Sequence, residues 1–494
     1  LNKIEASRWL GKVQAICWAL FLVCLPITSF PFFPSGIGGD TLIRPLSIYP
    51  LMVLLLIATL PRLFKSPLPK TFLPLFAFVV VALISSVFSL AQGSLPSLEG
   101  VSVASRLGRN LITLGIGCAY YITVALIPRS RQDLDASLRW LYLGFSLALA
   151  WGSLQAVYVI HFSQSYFNLL SQVQEFISTR KLFTTRVSGA TFEPKWFAEQ
   201  ICLLLLPWLL GSVFQGRTVF KWRYRWITVE LFLLAWAVAI VLFTFSRTGV
   251  AILLLITFMS FLLFPPKKMV ARLVPQKLSF LRNKYALAGI ATLAIGVLVV
   301  VAGVNNRYFS RFWTYFTDES VGANRSYLEY IAFDQRFVYW QTAYRMYEAY
   351  PALGVGLGNY AFYFDRMLPE RDYSRQPEII RQLTPTEDRA RLATPKNLYA
   401  RILAETGLLG VITFTAFLVA VLGCALFLWF SPGPQDKFWG GAGLLAFIVF
   451  LLVVFSFDSF AVPNMWVVFG LITAAAHIPA ASPAEQKVAE IQGG

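Results

Sequence analysis

The run YALAGIATLAIGVLVVVAGV, Tyr285–Val304, holds twenty residues and no charged side chain. A helix rises about 1.5 Å per residue, so this run can cross the roughly 30 Å hydrocarbon core of a bilayer. Runs of the same kind recur near 13–30, 43–61, 71–91, 109–128, 139–160, 196–214, 226–243, 247–264, 407–429, 438–456 and 459–478. Together they predict an all-α fold, a polytopic membrane helix bundle of about 12 transmembrane helices. The composition agrees: of 494 residues 57% are hydrophobic and only 14% charged, and the mean hydropathy is +0.63. A soluble globular domain carries about 25% charged residues.

The net charge of +17 would fit a nucleic-acid binder, so the placement of the cations decides. They lie on alternate loops. Lys3, Arg8 and Lys12 precede the first span, Arg62, Lys65 and Lys70 follow the second, and Arg129, Arg131 and Arg139 follow the fourth. Arg217, Lys221, Arg223 and Arg225 follow the sixth; Lys267, Lys268, Arg272, Lys277, Arg282 and Lys284 follow the eighth. Short loops rich in Lys and Arg stay in the cytoplasm, so both termini are expected inside, which an even number of spans allows. Membrane lipid is the expected partner of this charge, and nucleic acid is not needed. Cys17, Cys24, Cys118, Cys202 and Cys424 fall within apolar runs without metal-ligand spacing and read as packing residues. The first run lacks a small-residue cleavage site, so no cleavable signal peptide is expected.

The expected division is nine spans over 1–304, a large outer loop over 305–397, three spans over 398–478 and a cytoplasmic tail over 479–494. Another outer loop runs over about 161–195. Within the large loop, Tyr327–Pro351 reads as one amphipathic helix, followed by the glycine-rich GVGLGNY, Gly354–Tyr360, and a proline-punctuated segment, Arg366–Thr394. Loops this long are usually functional.

The outer side is where cations run against the topology signal: Arg180, Lys181, Arg186, Lys195, Arg247, Arg336 and Arg345. Arg247, in FTFSRTG between two apolar runs, has no carboxylate nearby in sequence. It reads either as an interfacial arginine or as an anion ligand in a cavity, where its planar fork would grip phosphate oxygens bidentately. Glu193, in RVSGATFEPKWFAEQ, reads either as a helix N-terminal acid or as a catalytic carboxylate. His161 and His477 are isolated, and neither a metal site nor a Ser/His/Asp triad is indicated. GVGLGNY follows a helix and a proline rather than a strand, which argues against a nucleotide loop.

RVSGATFEP (Arg186–Pro194), FTFSRTGV (Phe243–Val250), RFVYWQTAYRMYEAYPALGVGLGNY (Arg336–Tyr360) and KNLYARILAETGLLG (Lys396–Gly410) together resemble the O-antigen ligase and polymerase superfamily. These are bacterial membrane glycosyltransferases that use undecaprenyl-diphosphate-linked glycans. The order of the motifs and the long loop before the tenth span match as well. The resemblance implies a GT-C-like fold, no cofactor and metal-independent transfer on the outer side of the inner membrane. The implied partners are a lipid-diphosphate-linked donor and acceptor, with a chain-length regulator and a flippase of the same pathway.

Ligases of the superfamily begin the last motif with His-Asn, then nine residues and Gly-x-x-Gly. Asn397, the spacing, Gly407 and Gly410 are kept, and Lys396 stands where the histidine would be. A protonated lysine cannot take a proton from an acceptor hydroxyl unless burial lowers its pKa well below the usual value of about 10.4. GATFEP is similar to the Gly-x-Phe-x-Glu-Pro pattern of polysaccharide polymerases, so polymerisation is the leading expectation. A ligase is the alternative, and a bicarbonate-type transporter, which would call for broken helices with polar residues near mid-membrane, is a third reading. Under the resemblance Arg247 and Arg186 hold the diphosphate, Arg336 supports them, Lys396 adds a cation and Glu193 is the general base. Arg345, Asn397, Lys195, Tyr339 and Trp340 are expected to bind substrate.

Overall fold

The structure is a computed structural model that describes residues 3–33, 41–91, 96–224, 227–264, 283–304, 306, 308–318, 326–331, 333–371, 373, 374, 376–384 and 392–478. Arg225, Lys267, Lys268, Arg272, Lys277, Arg282 and the tail 479–494 lie outside the described residues.

The chain opens with α1 (Lys3–Val23), α2 (Ile48–Lys65), α3 (Phe72–Ala91), α4 (Val103–Leu126), α5 (Arg131–Ile160), α6 (Gln164–Ile177) and α7 (Pro194–Gln215). A short hairpin, β1 (Arg223–Tyr224) with β2 (Ile227–Thr228), leads into α8 (Val229–Phe243), α9 (Arg247–Leu263) and α10 (Lys284–Val304). The long loop carries α11 (Arg311–Thr317), α12 (Tyr327–Tyr330), α13 (Asp334–Ala349), α14 (Tyr360–Met367) and α15 (Pro377–Leu383). The chain closes with α16 (Leu398–Phe430), α17 (Pro434–Val453) and α18 (Pro463–His477).

A helix lies on each of the twelve apolar runs. Eight of them, α2, α3, α4, α5, α7, α10, α16 and α17, are long and apolar enough to cross a membrane, while α8 and α9 are shorter apolar helices. The described chain is thus all-α and polytopic, 73% helical with almost no strand.

Burial grades from the middle outward. In α7, 89% of the most apolar window is buried inside the protein; in α10 only 11% is, which puts α10 at the edge of the bundle. Trp208 of α7 packs on Trp439 of α17 with ring centroids 5.0 Å apart. α16 packs along α17 and α3, and α18 along α4.

The two ends of the bundle differ in charge chemistry. At one end lie the starts of α5 and α17 and the end of α7, where Arg131 pairs with Asp436 at 2.5 Å and Arg217 with Asp135. There Arg62 also donates to the Leu126 and Ile127 carbonyls at 2.8 and 2.9 Å, so these described cations of the alternate loops clamp helix ends together. The other end holds the start of α7, the α8–α9 link, the start of α16 and the end of α17.

The long loop is an ordered layer docked on that second end. Val338, Tyr339, Ala343 and Met346 of α13 join Tyr360, Phe362, Phe364 and Ile379 in a small core that reaches Val103, Leu107 and Ala404 of the bundle. The single helix expected over Tyr327–Pro351 is two. A capping box between Ser326 and Glu329 starts α12, which stops at Tyr330. Asp334, in the first turn of α13, is held by Arg371 and Gln376, each at 2.5 Å, and starts a new helix there.

Glycines spaced like Gly407 and Gly410 on an apolar helix commonly let helices pack closely. Gly407 instead breaks α16, with φ 62° and ψ −162°. The break frees the carbonyls of Ala404 and Glu405 and the amides of Leu408 and Leu409. The loop after α13 takes all four: Val355 and Gly356 donate at 2.9 and 3.0 Å, and the carbonyls of Pro351 and Ala352 accept at 2.8 and 3.2 Å. A Cβ on Gly407 would lie 2.5 Å from the Ala352 backbone, so the approach needs glycine. The atoms nearest a Cβ on Gly410 belong to Thr406 of its own helix.

Candidate active site

RVSGATFEP lies against the end of α8. The Val187 amide donates to the Phe243 carbonyl at 3.0 Å, and Arg186 Nε donates to the Thr244 carbonyl at 3.0 Å. A buried glutamine on α5, Gln155, fixes the turn: its Oε1 accepts from the Ser188 and Gly189 amides at 2.9 and 3.0 Å, and its Nε2 donates to the Gly189 carbonyl. The Arg186 guanidinium stacks on Tyr308, 4.1 Å from the ring centroid. Burial lowers its pKa, Tyr308 and Glu193 oppose that, and Arg247 adds to it, which places Arg247 in electrostatic reach.

Arg247 is the first residue of α9, whose start is capped by Ser246 Oγ accepting from the Gly249 amide. Arg247 Nη1 reaches the Ile331 carbonyl at the end of α12, 3.1 Å away. Phe245, two residues before it, has φ 46°, and Lys396 has φ 54°. Bulky side chains rarely take this left-handed conformation, and strained residues of this kind cluster at functional sites.

Glu193 is exposed and stands at the N-cap position of α7, yet its side chain makes no cap bond there. Lys195, two residues on, donates to the Ser456 carbonyl at 2.6 Å and lies 3.7 Å from Glu199, which also accepts from Ser456 Oγ at 2.8 Å. Glu199 is 3% exposed and lines a small inward cavity with Trp196, Gln200, Phe457 and Asn464.

Lys396 closes the cluster. Its amide donates to the Asp458 carboxylate at 2.7 Å, its carbonyl accepts from Arg336 Nη1 at 3.3 Å, and its ammonium lies 4.7 Å from the Tyr339 ring centroid and pairs with Glu378 of α15. Burial pushes the ammonium pKa down to about 7, helped by Arg336 and Lys195 and opposed by Asp458 and Glu193. Burial works toward the condition under which a lysine can take a proton near neutrality, and the Glu378 carboxylate paired with the ammonium works against it. Burial also lowers the pKa of Arg336, against the pull of Asp458, Tyr339, Glu199 and Glu193.

The structure thus brings Arg186, Glu193, Lys195, Arg247, Arg336, Tyr339 and Lys396 to one end of the bundle. Arg345 stands apart, donating to the Leu368 carbonyl at 2.7 Å. It is nine residues beyond Arg336, and at about 100° per residue that is the opposite face of the helix. Asn397 uses its side-chain oxygen to cap α16, accepting from the Tyr399 and Ala400 amides at 2.9 and 3.2 Å. Trp340 is half-buried against Phe337 and Phe455, and Tyr344 is exposed beside Tyr347. Arg180 and Lys181 line a separate open cavity, with the Arg180 guanidinium over Phe183 and Phe192.

Sequence reasoning missed Asp458, Glu199, Glu378, Tyr308 and Gln155. Asp458 and Glu199 sit in or beside apolar runs, where a lone acid is itself the signal; Gln155, Tyr308 and Glu378 carry none. Arg401 and Glu405, just ahead of the tenth expected span, are 5% and 2% exposed inside α16 and pair at 2.9 Å.

No curated protein matches the chain. Residues 232–415 match the family model described as O-antigen ligase. That span holds three of the four motifs, from FTFSRTGV to KNLYARILAETGLLG, and leaves out RVSGATFEP. Over α8 to the first half of α16 the chain is similar to O-antigen ligase, and this bears out the resemblance to the O-antigen ligase and polymerase superfamily and points to a glycosyltransferase-like enzyme.

Proposed function

We propose that the protein polymerises undecaprenyl-diphosphate-linked oligosaccharide repeat units into O-antigen or exopolysaccharide, on the outer face of the bacterial inner membrane. The observation that carries this reading is the gathering of five cations, Arg186, Lys195, Arg247, Arg336 and Lys396, around exposed Glu193 at one bundle end. The clamp end, with its loop arginines, would face the cytoplasm.

In the transfer, the acceptor sugar hydroxyl forms a bond to the anomeric carbon of the donor glycan. The bond from that carbon to the diphosphate oxygen breaks, and the diphosphate keeps the electron pair. Charge develops on the leaving group, and preorganised cations aimed at it stabilise the transition state more than the ground state. Arg186 and Arg247 fit this role because their forks are already fixed by backbone carbonyls. Glu193 is the proposed acceptor of the hydroxyl proton. With cations in place of a divalent ion, the reaction proposed is metal-independent.

The placement of Lys396 favours a ligase as the second reading: it stands where ligases hold histidine, and burial lowers its pKa toward the range of a base. The Gly407 break answers the transporter's need for a broken helix. Its freed backbone groups, however, are paired by the 351–356 loop and are not left to hold a solute.

Purified protein given lipid-diphosphate-linked repeat units, alone and with lipid A core, tests the proposal. A ladder of products from repeat units alone is expected; a single addition that requires the core would establish the ligase, and uptake of labelled solute without glycan product the transporter.

A further inference from the structure

We propose that Arg401 and Asp458 are positioning residues that hold Lys396 in place for the transfer, an inference that rests on reading the cation cluster as a transfer site. Arg401 is buried one turn into α16, and all three guanidinium nitrogens are engaged on different elements. Nε donates to Glu405 at 2.9 Å, Nη2 to Asn110 of α4 at 2.5 Å, and Nη1 to the Asp458 carbonyl at 2.6 Å. A lysine could not fill three such places. The grip fixes the link between α17 and α18 against α16 and α4.

Asp458 then acts on Lys396. Its carboxylate accepts the Lys396 amide at 2.7 Å, and Lys396 has φ 54°. A non-glycine residue keeps that conformation only when its surroundings over-determine it. Here the Lys396 amide is held by Asp458 and its carbonyl by Arg336. The relay also reaches the glycine loop: the Glu405 carbonyl accepts from the Gly356 amide and from Ser85 Oγ.

The groups facing Lys396 are Arg336 and Tyr339 of α13, Lys195 of α7, Glu193 before it, Glu378 of α15 and Asp458 itself. Asp458 is an acid in this set that touches the Lys396 backbone, and its charge holds the ammonium pKa up.

The experiment compares Asp458→Ala, Asp458→Asn and Arg401→Lys in the full-length protein with a lipid-linked repeat unit as substrate. Turnover is measured across pH. In Asp458→Ala the carbonyl that Arg401 uses survives, while the bond to the Lys396 amide and the carboxylate charge felt by Lys396, Arg336 and Arg401 are lost, so kcat at the plateau should fall on the order of tenfold with KM little changed. Asp458→Asn keeps an oxygen for that amide and should recover most of the loss. In both variants the pH limb near 7 should move to lower pH, because a negative charge beside Lys396 is gone; a purely structural role would leave the limb in place. Arg401→Lys should lower kcat with the limb unmoved. An unmoved limb in the Asp458 variants, or wild-type turnover in Asp458→Ala or Arg401→Lys, overturns the relay. If Asp458→Ala fails to accumulate in the membrane, the limb of Asp458→Asn decides. Normal product from Arg247→Ala would sink the transfer-site reading itself, whereas a dead Arg247→Ala beside a normal Asp458→Ala would sink the relay alone.

Discussion

At the residue scale, Arg247 and Lys396 carry the chemistry proposed. Arg247→Ala should lower product formation by about 10²–10³-fold, the usual effect of removing one preorganised donor, while the protein still accumulates in the membrane. Arg247→Lys should recover little, because an ammonium cannot reproduce a bidentate grip on phosphate; full recovery would show that charge alone suffices. For Lys396 the sign is set by its lowered pKa of about 7. Below that pH the side chain is charged, above it neutral. If Lys396 is an electrostatic cation, activity should fall as pH rises through about 7, and this is the expected outcome. A rise through the same range would make Lys396 the base and favour the ligase.

At the element scale, the break in α16 is the feature with the clearest energetic consequence. Gly407 has φ 62°, and any Cβ there would collide with the Ala352 and Leu353 backbone. Gly407→Ala should therefore destabilise the protein by about 2–3 kcal/mol or more, since backbone strain and a forced shift add. Thermal unfolding in detergent would show the loss, and an unchanged midpoint would mean that the loop does not dock there. The sequence showed GVGLGNY and ETGLLG as separate glycine motifs. It did not show that they are two halves of one contact, because the hydrogen bonds that join them run between residues about fifty positions apart.

At the scale of the whole molecule, the two polar ends predict sidedness. Single cysteines at Lys181 and at Lys221, in a background with the five native cysteines replaced, should react with an impermeant thiol reagent from opposite sides of the membrane, Lys181→Cys from outside. Labelling of both from the same side would break the topology. The clamp at the other end also has a measurable role: Arg131 and Asp436 are 13% and 12% exposed, and breaking a pair so buried costs about 3–5 kcal/mol. Asp436→Ala should thus lower the unfolding temperature without altering the pH profile of turnover.

The sequence by itself determined the all-α membrane fold, because uninterrupted apolar runs have few stable solutions in a bilayer. It also marked Arg186, Glu193, Arg247, Arg336 and Lys396, because charges beside apolar runs must be held by something. The tertiary structure alone decided which of these meet. It turned Arg345 to the far face of its helix, gave Asn397 to a cap, and brought in Asp458 and Glu199 from other elements. It also altered the meaning of Lys396, since a pKa depends on burial and neighbours that no local stretch of sequence contains.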